Sequence, residues 1–298
     1  MKKQELTLTN IDKVFWPKEG YTKGDVIAYY DAMSAIILPY LKDRPENLNR
    51  HPGGIEGPNF YQKNFTYKPP QFVKTKKIWS DSNEANLNYL LCQNKETLLY
   101  LANLGCIEIN PWSSRIGALD TPDWMILDLD PGTNTFEEVI VVAQAVHKYL
   151  ELAGVRSFVK TSGKTGLHIL VPLGAKYTYE TIRDFAHLVM QMVYRDVPAI
   201  TSLERNPKKR KDKIYLDYLQ NSAGQTIAAP YSLRPAVGAT VSTPLEWKEV
   251  KNGLSPKKFT IKTIFRRLKK KGDLFSGVLG KGVDLKKAVL RLEQELRK

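Results

Sequence analysis

Apolar residues recur along this chain in two ways, as stripes at helical spacing and as short runs closed by glycine or proline. Val26, Tyr29, Met33, Ile36, Ile37 and Tyr40 form one stripe over residues 22–41, with Thr22 and Asp25 spaced as an N-terminal capping pair. The segment RHPGGIEGPNFYQK, 50–63, is rich in Gly and Pro and predicts loop or turn. Leu87, Leu90, Leu91, Leu98, Leu101 and Leu104 predict a helix over 84–104, ended by Gly105. CIEIN then reads as a strand. MILDLD is another, followed by a Pro-Gly turn and a helix opened by Thr135 and Glu138, with Val139, Val142, Val146 and Leu150 on its apolar face. SFVKTSGKTGLHILVPL predicts strand, glycine turn, strand. Residues 178–195 predict a helix, KIYLDYLQ (213–220) a strand, and 284–298 an amphipathic helix lined by Leu285, Ala288, Val289, Leu292 and Leu296. No internal repeat is present. The mixed order, without regular βαβα alternation, predicts an α+β fold with a largely antiparallel central sheet and flanking helices.

Composition changes this picture in one respect. At 298 residues and 42% apolar content the chain can bury a core without a disulfide or metal staple. Lys and Arg number 45 against 31 Asp and Glu, a net charge of +14 that suits a polyanion. No run approaches the roughly 18 apolar residues of a membrane span, and MKKQELTLTN turns polar where a secretory signal would be apolar. Cys92 and Cys106 lack CxxC spacing and read as buried thiols, so the expected compartment is a reducing cytoplasm.

The chemistry centres on DWMILDLDPG, 123–132. A strand alternates faces, so Asp128 and Asp130 share one, with Cα atoms roughly 7 Å apart. Two bare carboxylates at that spacing raise each other's pKa unless a cation lies between them. Bound Mg²⁺ or Mn²⁺ removes the repulsion, and a pair of such ions is the usual arrangement for phosphoryl or nucleotidyl transfer. The plain alternative is a strand ending in a turn, with both carboxylates solvated. TSGKTGLHI, 161–169, is no P-loop, since Phe158 stands where that motif needs its first glycine. What remains is a turn at Ser162 and Gly163 whose N–H groups suit a phosphate, with Lys164 supplying charge and His168 on the next strand. Asp217, alone in an apolar strand, is either paired with a base or a third metal ligand. Arg234 in APYSLRP suits a triphosphate or a structural ion pair. RNPKKRKDK (205–213) and KKFTIKTIFRRLKKK (257–271) are basic stretches, either solvated or in contact with phosphates. Phe60 and Tyr61 sit among basic residues such as Lys63 and suit base stacking if exposed.

The order of these motifs (a DxD strand, Ser-Gly-x-x-Gly-x-His, a lone Asp in a strand) resembles the archaeo-eukaryotic primase superfamily. More closely, it resembles the polymerase domain of prokaryotic non-homologous end-joining ligase D. LTNIDKVFWPKEGYTKGDVIAYY, GPNFYQK, NLGCIEINPWSSR, DWMILDLDPG, SGKTGLHILVPL, YLDYLQN, GQTIAAPYSLRP and STPLEWKEV carry the likeness over roughly residues 5–250.

The resemblance implies one primase-polymerase domain over 1–298, with an RRM-like catalytic sheet. Within it, 1–115 would bind the DNA end, 116–250 would form the catalytic core, and 251–298 a basic helical part. It implies a Mn²⁺- or Mg²⁺-dependent polymerase that extends 5′-phosphorylated ends and fills gaps, with NTPs preferred to dNTPs. Asp128, Asp130 and Asp217 fall on its two-metal triad. Ser162, Gly163, Lys164, His168, Arg234, Asn110 and Arg50 fall on or beside its nucleotide positions. Lys13 and Lys23 fall on its 5′-phosphate site, Phe60, Tyr61 and Lys63 near its template contacts, and Arg210 in its end-bridging loop. Three positions depart from the pattern: Asn110 replaces a usual His, Asn49 a frequent base, and the turn lysine comes one residue early at Lys164. With no ligase or nuclease segment in 298 residues, those activities are expected from separate polypeptides, in cooperation with Ku, in a prokaryotic, nucleoid-associated setting. Competing readings are a primer-independent primase, a non-catalytic end-synapsis module and a DxD glycosyltransferase.

Overall fold

The computed structural model describes residues 6–210 and 212–296. Lys211 of the basic loop, the last two residues of the expected C-terminal helix and the Leu296 side chain lie outside the described part. The chain forms two compact units. Of the described residues, the first comprises those up to Gly117 with Thr226–Ser242 and Phe259–Phe265; the second comprises those of Ala118–Gln225, Thr243–Lys258 and from Arg266 onward. Residues 226–242, placed by sequence within the core segment 116–250, pack with the N-terminal part.

In the first unit, β1 (Val14–Trp16) and β2 (Tyr21–Thr22) pair before α1 (Lys23–Leu41). Thr22 caps α1 as its spacing predicts: its side chain accepts the Asp25 N–H, and Asp25 accepts the Thr22 N–H at 2.7 Å. Tyr29 and Tyr30 are buried, and their hydroxyls donate to the carbonyls of Tyr231 and Ile107. A three-stranded antiparallel sheet follows, in the order β4 (Phe60–Gln62), β3 (Glu46–Arg50), β7 (Cys106–Pro111).

Two expectations are corrected here. Phe60–Gln62, expected as loop, is an edge strand; its two aromatics remain exposed, so no alternation of buried and exposed positions marked it. The first half of the 84–104 helix is β6 (Ala85–Leu91), paired along its length with β5 (Lys74–Ser80). Leu87 and Tyr89 are buried beside exposed Asn86 and half-buried Asn88, a period of two that the leucine spacing concealed. The helix restarts as α2 (Lys95–Asn103), capped by Asn94 and ended by Gly105 at φ +80°.

The second unit is a six-stranded sheet ordered β11–β12–β8–β10–β9–β13. These strands are β8 (Trp124–Asp130), β9 (Phe158–Thr161), β10 (Leu167–Pro172), β11 (Thr201–Ser202), β12 (Ile214–Asp217) and β13 (Pro244–Leu245). Every neighbouring pair is antiparallel except β11 with β12. The chain thus has the expected α+β fold with a largely antiparallel sheet. Helices α3 (Phe136–Leu152) and α4 (Tyr179–Asp196) pack on each other and on β8. The chain closes with α5 (Ile264–Lys271) and α6 (Leu285–Leu296). One sheet face is apolar throughout: Leu127, Leu129, Leu167, Ile169, Val159, Leu216 and Leu245 are all buried. Register therefore sends every alternate residue to the other face, and the candidate site residues stand there. Cys92 and Cys106 are buried free thiols, as expected.

Candidate active site

Strand register in the second unit builds a row of four polar side chains. Asp217 on β12 pairs with Asp128 on β8, Asp128 with His168 on β10, and His168 with Lys160 on β9. Directly paired residues share a face, with Cβ atoms about 4.5–5.5 Å apart. Asp130 stands two residues along β8 on the same face, opposite Tyr215. The three aspartates line one cavity of about 330 Å³ together with Arg205, Arg210 and Tyr215.

The electrostatics of this cavity are unbalanced. Burial raises the Asp217 carboxyl above the ordinary value, despite the N–H groups of Gln220 and Leu219 and the nearby charge of Arg210. Tyr215 is pushed up to about 12, first by burial and then by Asp217, so it stays a phenol. Arg210 donates to the carbonyls of Glu204 and Arg205 at 2.8 and 2.7 Å, and its guanidinium lies 4.0 Å from the Tyr215 ring centroid. This residue, expected in an end-bridging loop, here forms part of the wall around the carboxylates.

A raised carboxyl pKa favours the folded state only where the group is neutral. That contribution holds below the ordinary carboxylate pKa and is lost as pH rises through the folded value. Asp217→Asn should therefore raise the melting temperature of the metal-free protein at neutral pH. The gain should fade as the pH falls below the ordinary carboxylate range; thermal melts across pH check both.

The turn between β9 and β10 is held by Ser162. Its Oγ accepts the N–H groups of Lys164 at 3.1 Å and Gly166 at 3.0 Å, and its own N–H donates to the Gly166 carbonyl. The Ser162 N–H, one of those the sequence offered to a phosphate, is thus engaged inside the turn. Gly163, at φ +79°, makes the reversal, and Lys164 is exposed at the tip. His168 is buried, with Nδ1 2.6 Å from Lys160 Nζ and Nε2 3.5 Å from Asp128 Oδ1.

In the first unit, Arg234 Nε meets Glu108 Oε2 at 2.9 Å, both side chains largely buried. Glu108 faces Asn49 across β3 and β7, and Asn110 faces Asn47. Asn110 donates to the Asn47 carbonyl, and Asn49 donates to the Tyr61 hydroxyl at 3.3 Å. Tyr61 and Phe60 are exposed, and Lys63 is exposed in the following loop. Lys13, Lys23 and Arg50 line a separate cavity of about 270 Å³. Lys23 is buried and donates to the Thr9 carbonyl at 2.5 Å; burial and the neighbouring Lys13 lower its pKa. Arg50, expected among the nucleotide-binding groups, lies at this basic cavity. The register shift between Asn49 and Arg50 interrupts the alternation that sets Asn47 and Asn49 toward Asn110 and Glu108. Lys160, Glu108, Asn47 and Tyr215 were not singled out by sequence.

The donor set fits a hard divalent cation: three carboxylates on one face of adjacent strands, one of them left undercompensated by burial. Among the described residues, no three His, Cys, Asp or Glu side chains are already gathered into a metal cage.

An antiparallel sheet with a DxD strand, a third aspartate beside it and a histidine on its other flank has the build of a primase-polymerase nucleotidyltransferase. The comparisons with known proteins agree. A family model described as "LigD, primase-polymerase domain" matches residues 22–275. The bifunctional non-homologous end joining protein LigD of Bacillus subtilis is 35% identical over 270 residues, which cover 90% of this chain and 43% of that protein. The multifunctional LigD of Pseudomonas aeruginosa is 30% identical over 254 residues, covering 85% of this chain and 30% of that protein. A solved structure of the polymerase domain from Mycobacterium tuberculosis ligase D in complex with DNA matches with a TM-score of 0.84 at 27% identity, covering 94% of this chain and 100% of that one. The chain belongs to the LigD primase-polymerase domain family. It spans less than half the length of these two LigD relatives. Among the described residues, no helix is long and apolar enough to cross a membrane.

Proposed function

We propose that this chain is a DNA-end-processing polymerase of non-homologous end joining. It adds nucleotides, NTPs in preference to dNTPs, to primer 3′-ends at gaps and 5′-phosphorylated breaks. The observation that carries this reading is the row Asp217–Asp128–His168, with Asp130 beside it on one sheet face. The net charge of +14 and the Lys13–Lys23 cavity supply the polyanion contacts such a reaction needs.

Asp128, Asp130 and Asp217 would hold Mn²⁺ or Mg²⁺, which supply Lewis acidity at the attacking hydroxyl and the departing pyrophosphate. The chain's own residues do the rest. His168 and Lys164 offset charge on the phosphates. Arg234, oriented by Glu108, binds the triphosphate through its planar fork. Asn110 lies at the sugar, and the exposed rings of Phe60 and Tyr61 stack against DNA. Lys13 and Lys23 hold the 5′-phosphate, Lys63 and Arg210 contact the DNA backbone, and cooperation with Ku and a DNA ligase activity in the bacterial cytoplasm completes the repair.

Binding of gapped duplexes with and without a 5′-phosphate tests the DNA side of this reading. The phosphate should tighten binding about tenfold at low salt, an advantage that Lys23→Ala removes and rising salt erodes. Equal binding of both duplexes by the wild type would contradict it.

A further inference from the structure

We infer that Lys160 is a positioning residue, fixing His168 in the tautomer that carries hydrogen on Nε2. Lys160 is fully buried on β9, in register with His168. Its Nζ lies 2.6 Å from His168 Nδ1. An ammonium has three hydrogens to donate and no lone pair, so Nδ1 must be the acceptor and the ring hydrogen resides on Nε2. The far side of the ring agrees. Nε2 stands 3.5 Å from Asp128 Oδ1, where an N–H is attractive and a bare lone pair would face a carboxylate oxygen. The reverse arrangement, a neutral amine accepting from Nδ1–H, creates that lone-pair clash and is disfavoured.

Register gives the contact its precision. His168 is held between Asp128 and Lys160 by ladder pairing on both sides, and the flanking Leu167 and Ile169 are fully buried. Which ring nitrogen bears hydrogen is set by the partner of the other one, and here that partner is enclosed by the fold. Resting on the reading of the site as a polymerase centre, the consequence is that an incoming triphosphate meets an N–H donor at His168. Lys160 contributes through the ring without touching the nucleotide.

Two-bond ¹H–¹⁵N correlation spectra of the His168 side chain test this directly, on the nucleotide-free protein and independently of any activity. The wild type should show the Nε2–H tautomer. Lys160→Met, similar in length but unable to donate, should show a mixture of tautomers with a native circular-dichroism spectrum. It should also raise KM for the nucleotide about tenfold, with DNA-end binding unchanged. An Nδ1–H tautomer in the wild type would overturn the inference even if Lys160→Met fails to fold. So would a folded Lys160→Met protein that keeps a pure Nε2–H tautomer. If the spectra behave as expected and no polymerase activity exists, the reading of the site fails while the role of Lys160 stands.

Discussion

In the Asp128→Ala protein, primer extension is expected to fall by at least about 10³-fold, the scale of losing a metal ligand at a reacting phosphate. Asp128 is central to the row: Asp217 flanks it on one side and His168 on the other, and Asp130 follows on the same face. Removing its carboxylate takes one ligand from the proposed cation site and removes the oxygen that faces His168 Nε2 at 3.5 Å. The apolar face of β8 is untouched, because Leu127 and Leu129 point the other way. The protein should therefore melt within a few degrees of wild type and bind gapped DNA normally. Extension assays paired with thermal melts check both halves, and residual activity within tenfold of wild type would remove Asp128 from the metal site.

The second large effect is expected from one methyl group. Gly166 closes the Ser162 turn, and a Cβ there would overlap the Leu129 carbonyl oxygen and come within 3.6 Å of Pro131 Cδ. The obstacle is the backbone of the DxD strand itself, which has little room to yield. Gly166→Ala should cost about 3 kcal/mol and lower the melting temperature by roughly 5–10 °C. It should also weaken extension beyond its effect on stability, since relief of the overlap moves β10, and with it His168, away from Asp128. Gly117→Ala, which meets nothing within 4 Å, is the control. Unchanged melting of Gly166→Ala would show that the turn is looser than its geometry indicates.

Much of this site was legible in the chain because period two is local. The shared face of Asp128 and Asp130 follows from spacing alone, as do the capping pairs that open α1 and α3. Lys160 was also within reach: if Thr161 and Leu167 close a hairpin, counting back one pair puts Lys160 opposite His168. What no local pattern carried was strand order. That β12 and β10 sit on the two sides of β8, bringing Asp217 and His168 to Asp128, is decided by tertiary packing. The Glu108–Arg234 pair joins residues more than a hundred positions apart, so the ion pair open to Arg234 had no legible partner. The hairpin β5–β6 was misread for the opposite reason: leucines at 87, 90 and 91 satisfy helical spacing, while the ladder with Lys74–Ser80 is not visible from the segment itself. The bulge beside Arg50 and the stacking of Arg210 on Tyr215 are likewise conformational facts that no local pattern carried.

The central claim, that the carboxylate row is a polymerase centre, is tested most directly by one extension reaction. Wild-type and Asp128→Ala proteins are given a gapped duplex with a 5′-phosphate, Mn²⁺, and either NTPs or dNTPs. Addition of the template-complementary nucleotide by the wild type alone, faster with NTPs, is the predicted result. No addition with either sugar, despite tight binding to the gap, would contradict the claim and leave an end-binding module in its place.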